Sequence, residues 1–347
     1  MNIKRIGRFI APLALLVAPF AGAPAQAQTG AQATGFEQSF DSAFGTELRE
    51  PRDYSPDFQN QLELRIAQLA EGSEGRIGVA AVDLATGQTI SILGDQRFPM
   101  ASTSKIAIAA TFMEGVEQGR WSLSSEFPLL WAVRSQPFST RVAPVREGEY
   151  LSARRLIELM LTRSSNQATD ALLKAIGGPS AVNDWAHRAG LSEFSLDRDI
   201  ATLVRDDGEH DPATFIDERD SASPETMVQL LAGLYQGRWL SQASREFIID
   251  TMERCRTGTR RIPAMMPGGV TVAHKTGSLN NTSSDIGILT SPDGRAIALA
   301  IYVTGQGSRL ARERRIASIA RGIYDGYAEA EARRYANAEH NVPAYTQ

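Results

Sequence analysis

Strand patterns lie near both ends of the chain, and a long, mainly helical stretch separates them. Near the N-terminal end, residues 77–84 and 89–93 are rich in β-branched residues and flank a short turn. Near the C-terminal end, further strand patterns cover residues 270–273, 285–289 and 297–303. This order predicts an α/β (α+β) fold: an antiparallel sheet flanked by helices from both chain ends, with an inserted all-helical domain.

The first residues of the chain have the three parts of a secretory signal peptide. Three cations within residues 4–8 precede an apolar stretch at residues 9–20, and Ala25-Gln26-Ala27 is a small-residue cleavage site. The apolar stretch is too short to span a bilayer, and no later segment is long and apolar enough to do so. We therefore predict a cleaved signal peptide at 1–27, a periplasmic or secreted protein, and no membrane anchor.

Composition divides the remaining chain into a linker, a folded domain and a tail. Residues 28–55 are rich in small and polar residues without a period, which is typical of a flexible linker. Residues 56–335 carry the periodic apolar patterns of a folded domain, and residues 336–347 form the tail. Within the domain we assign a sheet part, residues 56–96 and 246–335, and a helical part, residues 97–245.

Composition also excludes several classes of function. The chain has 36 Lys+Arg against 40 Asp+Glu, so it has no basic excess for a phosphate backbone, and we expect no nucleic-acid partner. A single cysteine, Cys255, excludes an internal disulfide and any cysteine-based zinc or iron–sulfur site. The four histidines are scattered and contain no HExxH motif, so we expect neither a metal nor another cofactor.

Lysine is rare in this chain, in contrast to arginine. The 36 basic residues include only four lysines, Lys4, Lys105, Lys174 and Lys275. A lysine in such a composition suggests a position where arginine would fail, because lysine can lose its proton when desolvated and offers a compact point charge. Lys4 lies in the signal peptide and Lys174 on a predicted helix. Lys105 and Lys275 each lie in a short polar motif.

Ser102 and Lys105 form an S-x-x-K motif at the start of a helix predicted over residues 102–116. The start of a helix favours developing negative charge, and Lys105 lies one turn from Ser102 on the same face. A partly buried lysine can activate a serine hydroxyl as a nucleophile. The alternative interpretation is an ordinary helix-capping serine followed by a chance lysine.

A second polar motif, Ser164-Ser165-Asn166, interrupts a strong helical pattern over residues 152–175. Two hydroxyls and an amide within an otherwise apolar run disfavour propagation of the helix. One interpretation is a solvent-facing break. The other is a polar wedge that points at the Ser102 cleft.

A third motif, Lys275-Thr276-Gly277-Ser278, follows the strand predicted at residues 270–273. It combines a cation, a hydroxyl and a glycine that permits close approach. At a strand edge, this combination suits an extended anionic ligand.

In this order and spacing, the three motifs resemble the S-x-x-K, S-D-N and K-T-G boxes of the serine β-lactamase and penicillin-binding enzyme superfamily. The chain is most similar to the class A β-lactamases, over about residues 56–330. Segments 196–198 and 217–220 match the ends of the family's Ω-shaped loop, which a salt bridge between Arg198 and Asp220 would close. We expect a loop so rich in Asp and Gly to bury little apolar surface of its own.

The resemblance implies a monomeric serine hydrolase, most simply a β-lactamase, that opens the β-lactam amide through an acyl-enzyme on Ser102. Its substrate would be a small-molecule β-lactam or a peptidoglycan-like compound. Lys105 would activate Ser102, and Ser164 would relay a proton to the departing ring nitrogen beside Lys275. The implied substrate-binding residues are Asn166, Thr276, Ser278 and Arg261, although Arg261 could equally be a surface arginine beside Arg260.

Two departures from the family pattern bear on turnover. Ser165 replaces the aspartate of S-D-N, and Ile200 stands where the family has the glutamate that activates the deacylating water. The interval after Arg198 is also lengthened, and it brings acidic residues that could replace this base. Our first choice is Glu209, since a glutamate side chain is long and Gly208 before it permits an unusual backbone turn. The alternative is a solvated acidic loop.

Three functions follow from these observations. The first is a β-lactamase that completes turnover. The second is a D,D-peptidase or esterase-like serine hydrolase with the same site. The third is a penicillin-binding protein that stays acylated, because loss of a general base costs about 10²- to 10⁴-fold in rate and Ile200 replaces that base.

We expect Lys275→Arg to lower kcat/KM for β-lactam hydrolysis although the charge is kept, because the guanidinium fork does not fit a site built for a point charge. Steady-state hydrolysis of a chromogenic β-lactam measures the effect, with Lys174→Arg as the control. An unchanged kcat/KM in Lys275→Arg would contradict the argument from lysine usage.

Overall fold

The computed structural model describes residues 61–72 and 74–340, with side chains up to Glu329. The predicted signal peptide and linker, at 1–27 and 28–55, lie outside the described residues. Among the residues described, no helix combines the length and apolar character that crossing a bilayer requires.

An antiparallel sheet of five strands joins the two ends of the domain. Its strands are β1 Ile77–Asp83, β2 Thr89–Ile92, β8 Thr271–Leu279, β9 Thr282–Thr290 and β10 Ala296–Thr304. They are ordered β2-β1-β10-β9-β8. The first strand pairs with the last, with Val79 opposite Ile301, so strands from opposite ends of the chain are neighbours. The predicted antiparallel sheet is confirmed.

Helices cover both faces of this sheet. They are α1 Gln61–Leu69, α2 Lys105–Glu117, α3 Ala153–Arg163, α4 Asn166–Ile176, α5 Pro179–Arg188, α6 Ile200–Arg205, α7 Pro224–Gln236, α8 Gln242–Glu253 and α9 Arg309–His340. On one face, Ile66 of α1 and Ile319 of α9 join Leu299 of β10 in an apolar cluster. On the other face, Ile106 of α2 and Met227 of α7 belong to a second, larger cluster. The predicted flanking by helices from both chain ends is therefore confirmed.

The inserted part is mainly helical, as predicted, but it also contains two small sheets. One joins β3 Phe98–Pro99, β7 Ser221–Ala222 and β6 Phe194–Ser195, and the other pairs β4 Glu126–Ala132 with β5 Val145–Ser152. The second sheet was not predicted from the sequence. Most residues of β5 are exposed, so its sequence has no alternation of apolar and polar residues that would mark it as a strand.

The helix predicted over residues 152–175 is two helices, α3 and α4. Ser164 ends α3 in a left-handed conformation with φ 58°. Ser165 then caps α4, since its Oγ accepts a hydrogen bond from Ala168 N at 3.2 Å. The break therefore turns the chain at Ser164 and satisfies an otherwise unpaired N–H group of the new helix.

The loop from Arg198 to Asp220 is clasped at its neck as predicted. Arg198 Nε donates to Asp220 Oδ2 at 2.5 Å, and Asp220 Oδ1 accepts the N–H groups of Asp197 and Arg198 at 2.8 and 3.0 Å. The expectation that the loop buries little apolar surface is wrong. Helix α6 lies within it and buries Ile200 and Leu203.

We expect Asp220→Asn to open this loop without unfolding the domain. The substitution removes a charge-assisted hydrogen bond of about 1.5–3 kcal/mol, which corresponds to about 10- to 100-fold more frequent opening. The rate of limited proteolysis within residues 199–219 measures opening, and the thermal midpoint measures global stability. Asp250→Asn, at an exposed position on α8, is the control. Equal proteolysis of both variants and the unmodified protein would show that the clasp does not hold the loop.

Candidate active site

Ser102 lies in a short 3₁₀ turn, Ala101–Ser104, directly before α2. Two neighbouring hydroxyls fix this turn, because Thr103 Oγ1 and Ser104 Oγ donate back to the carbonyls of Met100 and Ala101 at 2.7 and 2.8 Å. Both neighbours are buried, whereas Ser102 is half-buried. Of the three hydroxyls in this turn, that of Ser102 is therefore the one a substrate can reach.

The strand with the K-T-G motif lies directly against this turn. Gly277 on β8 is so close that a Cβ atom there would lie 2.7 Å from the Met100 carbonyl oxygen and 3.2 Å from Ala101 Cβ. Only a glycine permits an approach of this kind. The strand that carries Lys275 is thereby held beside the turn that carries Ser102.

Helix α2 begins at Lys105, whose side chain is completely buried. Its Nζ donates to Ser164 O at 2.9 Å, to Ser164 Oγ at 3.2 Å and to Asn166 Oδ1 at 2.8 Å. An ammonium group has three N–H donors, so these three acceptors satisfy it. The motif at 164–166 is therefore a polar wedge that points inward, and the solvent-facing interpretation is wrong.

Lys275 approaches the same hydroxyl from the sheet. Its Nζ donates to Ser164 Oγ at 3.0 Å and to the Thr276 carbonyl at 2.9 Å. Ser164 Oγ thus lies between two buried ammonium groups. Because it accepts from both lysines, its own proton is left to donate toward the cleft.

Both lysines are in an environment that disfavours their charged forms. Burial lowers the pKa of Lys105 well below its usual value, and the positive charge of Lys275 lowers it further, against the opposing effect of Asp170. Burial also lowers the pKa of Lys275, to about 8. A lysine with a lowered pKa can be neutral near neutral pH and can then accept a proton from a serine hydroxyl.

Arg261 is buried beside the third motif, so its alternative interpretation as a surface arginine is wrong. Only 1% of its surface is exposed. Its Nη1 donates to the carbonyls of Gly277 and Ser284, each at 2.7 Å, and its Nη2 donates to Ser278 Oγ at 2.7 Å. Glu313 lies 3.4 Å from the same guanidinium. The arrangement fixes the Ser278 hydroxyl at this end of the cleft, and Glu313 offsets part of the guanidinium charge.

Thr276 is held from behind the strand. Its Oγ1 lies 2.7 Å from Thr257 Oγ1, in the segment that leads to the K-T-G motif. The predicted site residues Ser102, Lys105, Ser164, Asn166, Lys275, Thr276, Ser278 and Arg261 therefore lie on four adjoining pieces of the chain: the 3₁₀ turn with α2, the α3–α4 break, β8, and the segment before β8.

The described contacts do not bring Glu209 to this group. Its side chain is about one-third exposed and pairs with Arg219 at 2.7 Å, and His210 Nε2 lies 3.7 Å from it. Asp206 is bound to Arg205 at 2.7 Å, and Asp207 accepts the Asn280 N–H at 2.9 Å. The assignment of Glu209 as a base stays a prediction that these contacts do not support.

One buried acid close to the site, Asp170, was not predicted from the sequence. Asp170 is 5% exposed and lies one turn after Asn166 on α4, on the same face. Its Oδ1 accepts the Ile200 N–H at 2.7 Å, and its Oδ2 accepts the Ala201 N–H at 2.9 Å. The signal available in the sequence was an acid spaced four residues from Asn166 within an otherwise apolar stretch of helix.

A comparison with known families agrees with this geometry. The sequence model of the "Beta-lactamase enzyme family" matches residues 61–327. The chain belongs to this family. The beta-lactamase CTX-M-25 of Escherichia coli is 32% identical over 276 residues, which cover 77% of this chain and 90% of that protein. The beta-lactamase CTX-M-8 of Citrobacter amalonaticus is 31% identical over 274 residues, with the same two coverages.

Solved structures place this β-lactamase in class A. An ancestral (GNCA) class A beta-lactamase is 33% identical with a TM-score of 0.67, over 77% of this chain and 100% of that chain. A beta-lactamase from Chitinophaga pinensis is 27% identical with a TM-score of 0.68, over the same shares of the two chains. The predicted class A serine β-lactamase family is confirmed.

We expect Gly277→Ala to separate the K-T-G strand from the turn that carries Ser102. The new methyl would lie 2.7 Å from the Met100 carbonyl, and overpacking of this kind costs about 1–3 kcal/mol. The rate of covalent labelling by a fluorescent penicillin should fall at least about tenfold, the equivalent of about 1.4 kcal/mol. Gly268→Ala is the matched control, since no atom lies within 4 Å of its added Cβ. Equal labelling rates in the two variants would show that the close approach is not required.

Proposed function

We propose that this β-lactamase hydrolyses the β-lactam amide through an acyl-enzyme on Ser102. The observation that carries the proposal is Ser164 Oγ, held 3.2 Å from Lys105 Nζ and 3.0 Å from Lys275 Nζ. A hydroxyl in this position can donate its proton to a departing nitrogen and be reprotonated by a neighbouring ammonium. The site thus has both a proton acceptor and a proton donor for acyl transfer.

Acylation follows from these positions. Neutral Lys105 takes the Ser102 proton while Ser102 Oγ bonds to the β-lactam carbonyl carbon. The N–H groups of Ser102 and Ser278 stabilise the oxyanion, and each such donor contributes about 3 kcal/mol. The tetrahedral intermediate collapses as the ring C–N bond breaks, and Ser164 gives its proton to the nitrogen. Ser164 then regains a proton from the Lys105 ammonium, which returns that lysine to its neutral state.

The other side chains of the cleft give it the character of an anion-binding site. The carboxylate of a β-lactam would be bound by the hydroxyls of Thr276 and Ser278, beside the positive charges of Lys275 and Arg261. Support comes from the 2.7 Å hydrogen bond by which Arg261 orients Ser278 Oγ. Asn166 would hold the acylamino group of the substrate.

The family relationship favours a β-lactamase over a D,D-peptidase or an esterase, since the relatives compared above are all beta-lactamases. We further propose that the protein acts as a monomer after export to the periplasm or beyond the cell. The basis is the signal peptide predicted at 1–27. N-terminal sequencing of the exported protein should give Gln28 as its first residue.

Replacing the nucleophile tests the proposed function. We expect Ser102→Ala to abolish the covalent adduct that intact-mass spectrometry detects after mixing with a penicillin, while the thermal midpoint changes little. Ser124→Ala, at an exposed position, should label like the unmodified protein. An adduct of the same mass that forms on Ser102→Ala at the original rate would show that another residue is the nucleophile.

A further inference from the structure

We infer that Asp170 is the general base that activates the deacylating water in this protein. The inference rests on the proposed function, since it concerns the second half of the same reaction. Ile200, an apolar residue, occupies the position where the family has its glutamate. Ile200 is 2% exposed and has no group in its side chain that can accept a proton.

The backbone at this position is bound to a carboxylate that comes from elsewhere in the chain. The N–H groups of Ile200 and Ala201 donate to the two oxygens of Asp170 at 2.7 and 2.9 Å. These bonds hold the carboxylate at the start of α6, where the family's glutamate would begin. Each carboxylate oxygen has two lone pairs, so each can still accept a hydrogen bond from a water molecule.

Asp170 also lies next to the acylation machinery. Asn166, one turn earlier on α4, binds Lys105 Nζ at 2.8 Å, and the Asp170 carboxylate interacts electrostatically with Lys105. Asp170, Asn166 and Ile200 line one cavity of about 460 Å³. The cavity is large enough for ordered water, and it contains the polar groups that such a water needs.

Three other acids of the loop have partners of their own. Asp199 caps α6, since its Oδ1 accepts the Thr202 N–H at 2.8 Å. Asp206 binds Arg205, and Glu209 binds Arg219. Of the acids named here, Asp170 is therefore the one that the described contacts connect to the Lys105 group.

Deacylation consumes one water molecule and restores the Ser102 hydroxyl. Asp170 carboxylate takes one proton from water as the water oxygen bonds to the ester carbonyl carbon of acyl-Ser102. The tetrahedral intermediate collapses, the bond from that carbon to Ser102 Oγ breaks, and Ser102 Oγ takes the proton that Asp170 had accepted, relayed through the cleft. The Asp170 carboxylate is thereby restored, and the products are the free enzyme and the ring-opened acid.

This role predicts the direction of a pH dependence. The pKa of Asp170 is raised to about 7, chiefly by burial and also by the charge of Asp199, while the two backbone N–H bonds and the charge of Lys105 oppose the rise. Arg134 and Arg205 line the same cavity. The base is active when it is ionised, so clearance of the acyl-enzyme should slow as pH falls through about 7.

The first test uses the unmodified protein. Ser102 is acylated with a penicillin, and loss of the adduct is followed by intact-mass spectrometry from pH 5 to 8. We expect clearance to slow about tenfold for each pH unit below the pKa of the base. A profile that is flat over this range, or an adduct that never clears, would overturn the assignment of Asp170. Absence of any adduct would instead refute the proposed function, and the inference with it.

The second test is Asp170→Asn, which keeps the size of the side chain and one acceptor oxygen for the loop. We expect adduct formation to continue while clearance slows about 10²- to 10⁴-fold, with loss of the dependence on pH near 7. The part of the clearance rate that depends on hydroxylamine should be similar in this variant and in the unmodified protein, because hydroxylamine attacks the ester without a general base. If Asp170 were only a structural anchor, Asp170→Asn would distort the site, and clearance by hydroxylamine would slow together with hydrolysis. That result would overturn the inference.

Asp199→Asn is the matched control, since it removes the neighbouring carboxylate from the same loop while asparagine still caps a helix. It should clear the adduct, with its pH profile moved to lower pH, because the charge of Asp199 raises the pKa of Asp170.

Glu209→Gln separates the two candidate bases. Accumulation of the adduct on Glu209→Gln, together with normal clearance by Asp170→Asn, would overturn our inference in favour of Glu209.

Discussion

The contact between Ser164 Oγ and two buried ammonium groups is the interaction on which the rest of the site depends. Lys105 comes from the first helix after the 3₁₀ turn, Lys275 from β8, and Ser164 from the break between α3 and α4. Three elements that are distant in sequence must therefore converge within hydrogen-bonding distance of one oxygen. The left-handed conformation of Ser164 and the close approach of Gly277 both serve this convergence.

Two like charges without access to water would be costly unless the protein compensated them. Part of the compensation comes from acceptors: Lys105 has two oxygens of Ser164 and one of Asn166, and Lys275 has the Thr276 carbonyl in addition to Ser164. The rest comes from neutralisation, since burial lowers the pKa of both lysines. The electrostatic cost of burying two like charges thus favours a neutral lysine, which can act as a base. Arginine could not do this, because its guanidinium keeps its proton.

The sequence predicted the elements whose signals are local. Strand and helix patterns identified the sheet and its flanking helices, and the spacing of three motifs identified the residues around Ser164. Contacts made at a distance were harder to predict. Arg261 is one of two adjacent arginines, and only the fold distinguishes the buried one from Arg260. Asp170 was missed for a similar reason, since its importance comes from the Ile200 backbone, 30 residues away, and no pattern within α4 encodes that contact.

Because Ile200 replaces the family's glutamate, the proposed base for deacylation comes from helix α4 and not from the loop. The first residue of α4, Asn166, binds Lys105, so the same helix fixes both that acceptor and Asp170. The loop contributes only backbone N–H groups to Asp170, which any residue except proline can supply, and position 200 is then free to be apolar. Opening of the loop would break these two N–H bonds and expose the carboxylate to water, and since burial is the largest influence on the pKa of Asp170, that pKa would fall. The Arg198–Asp220 clasp therefore acts on the proposed base through the backbone of α6.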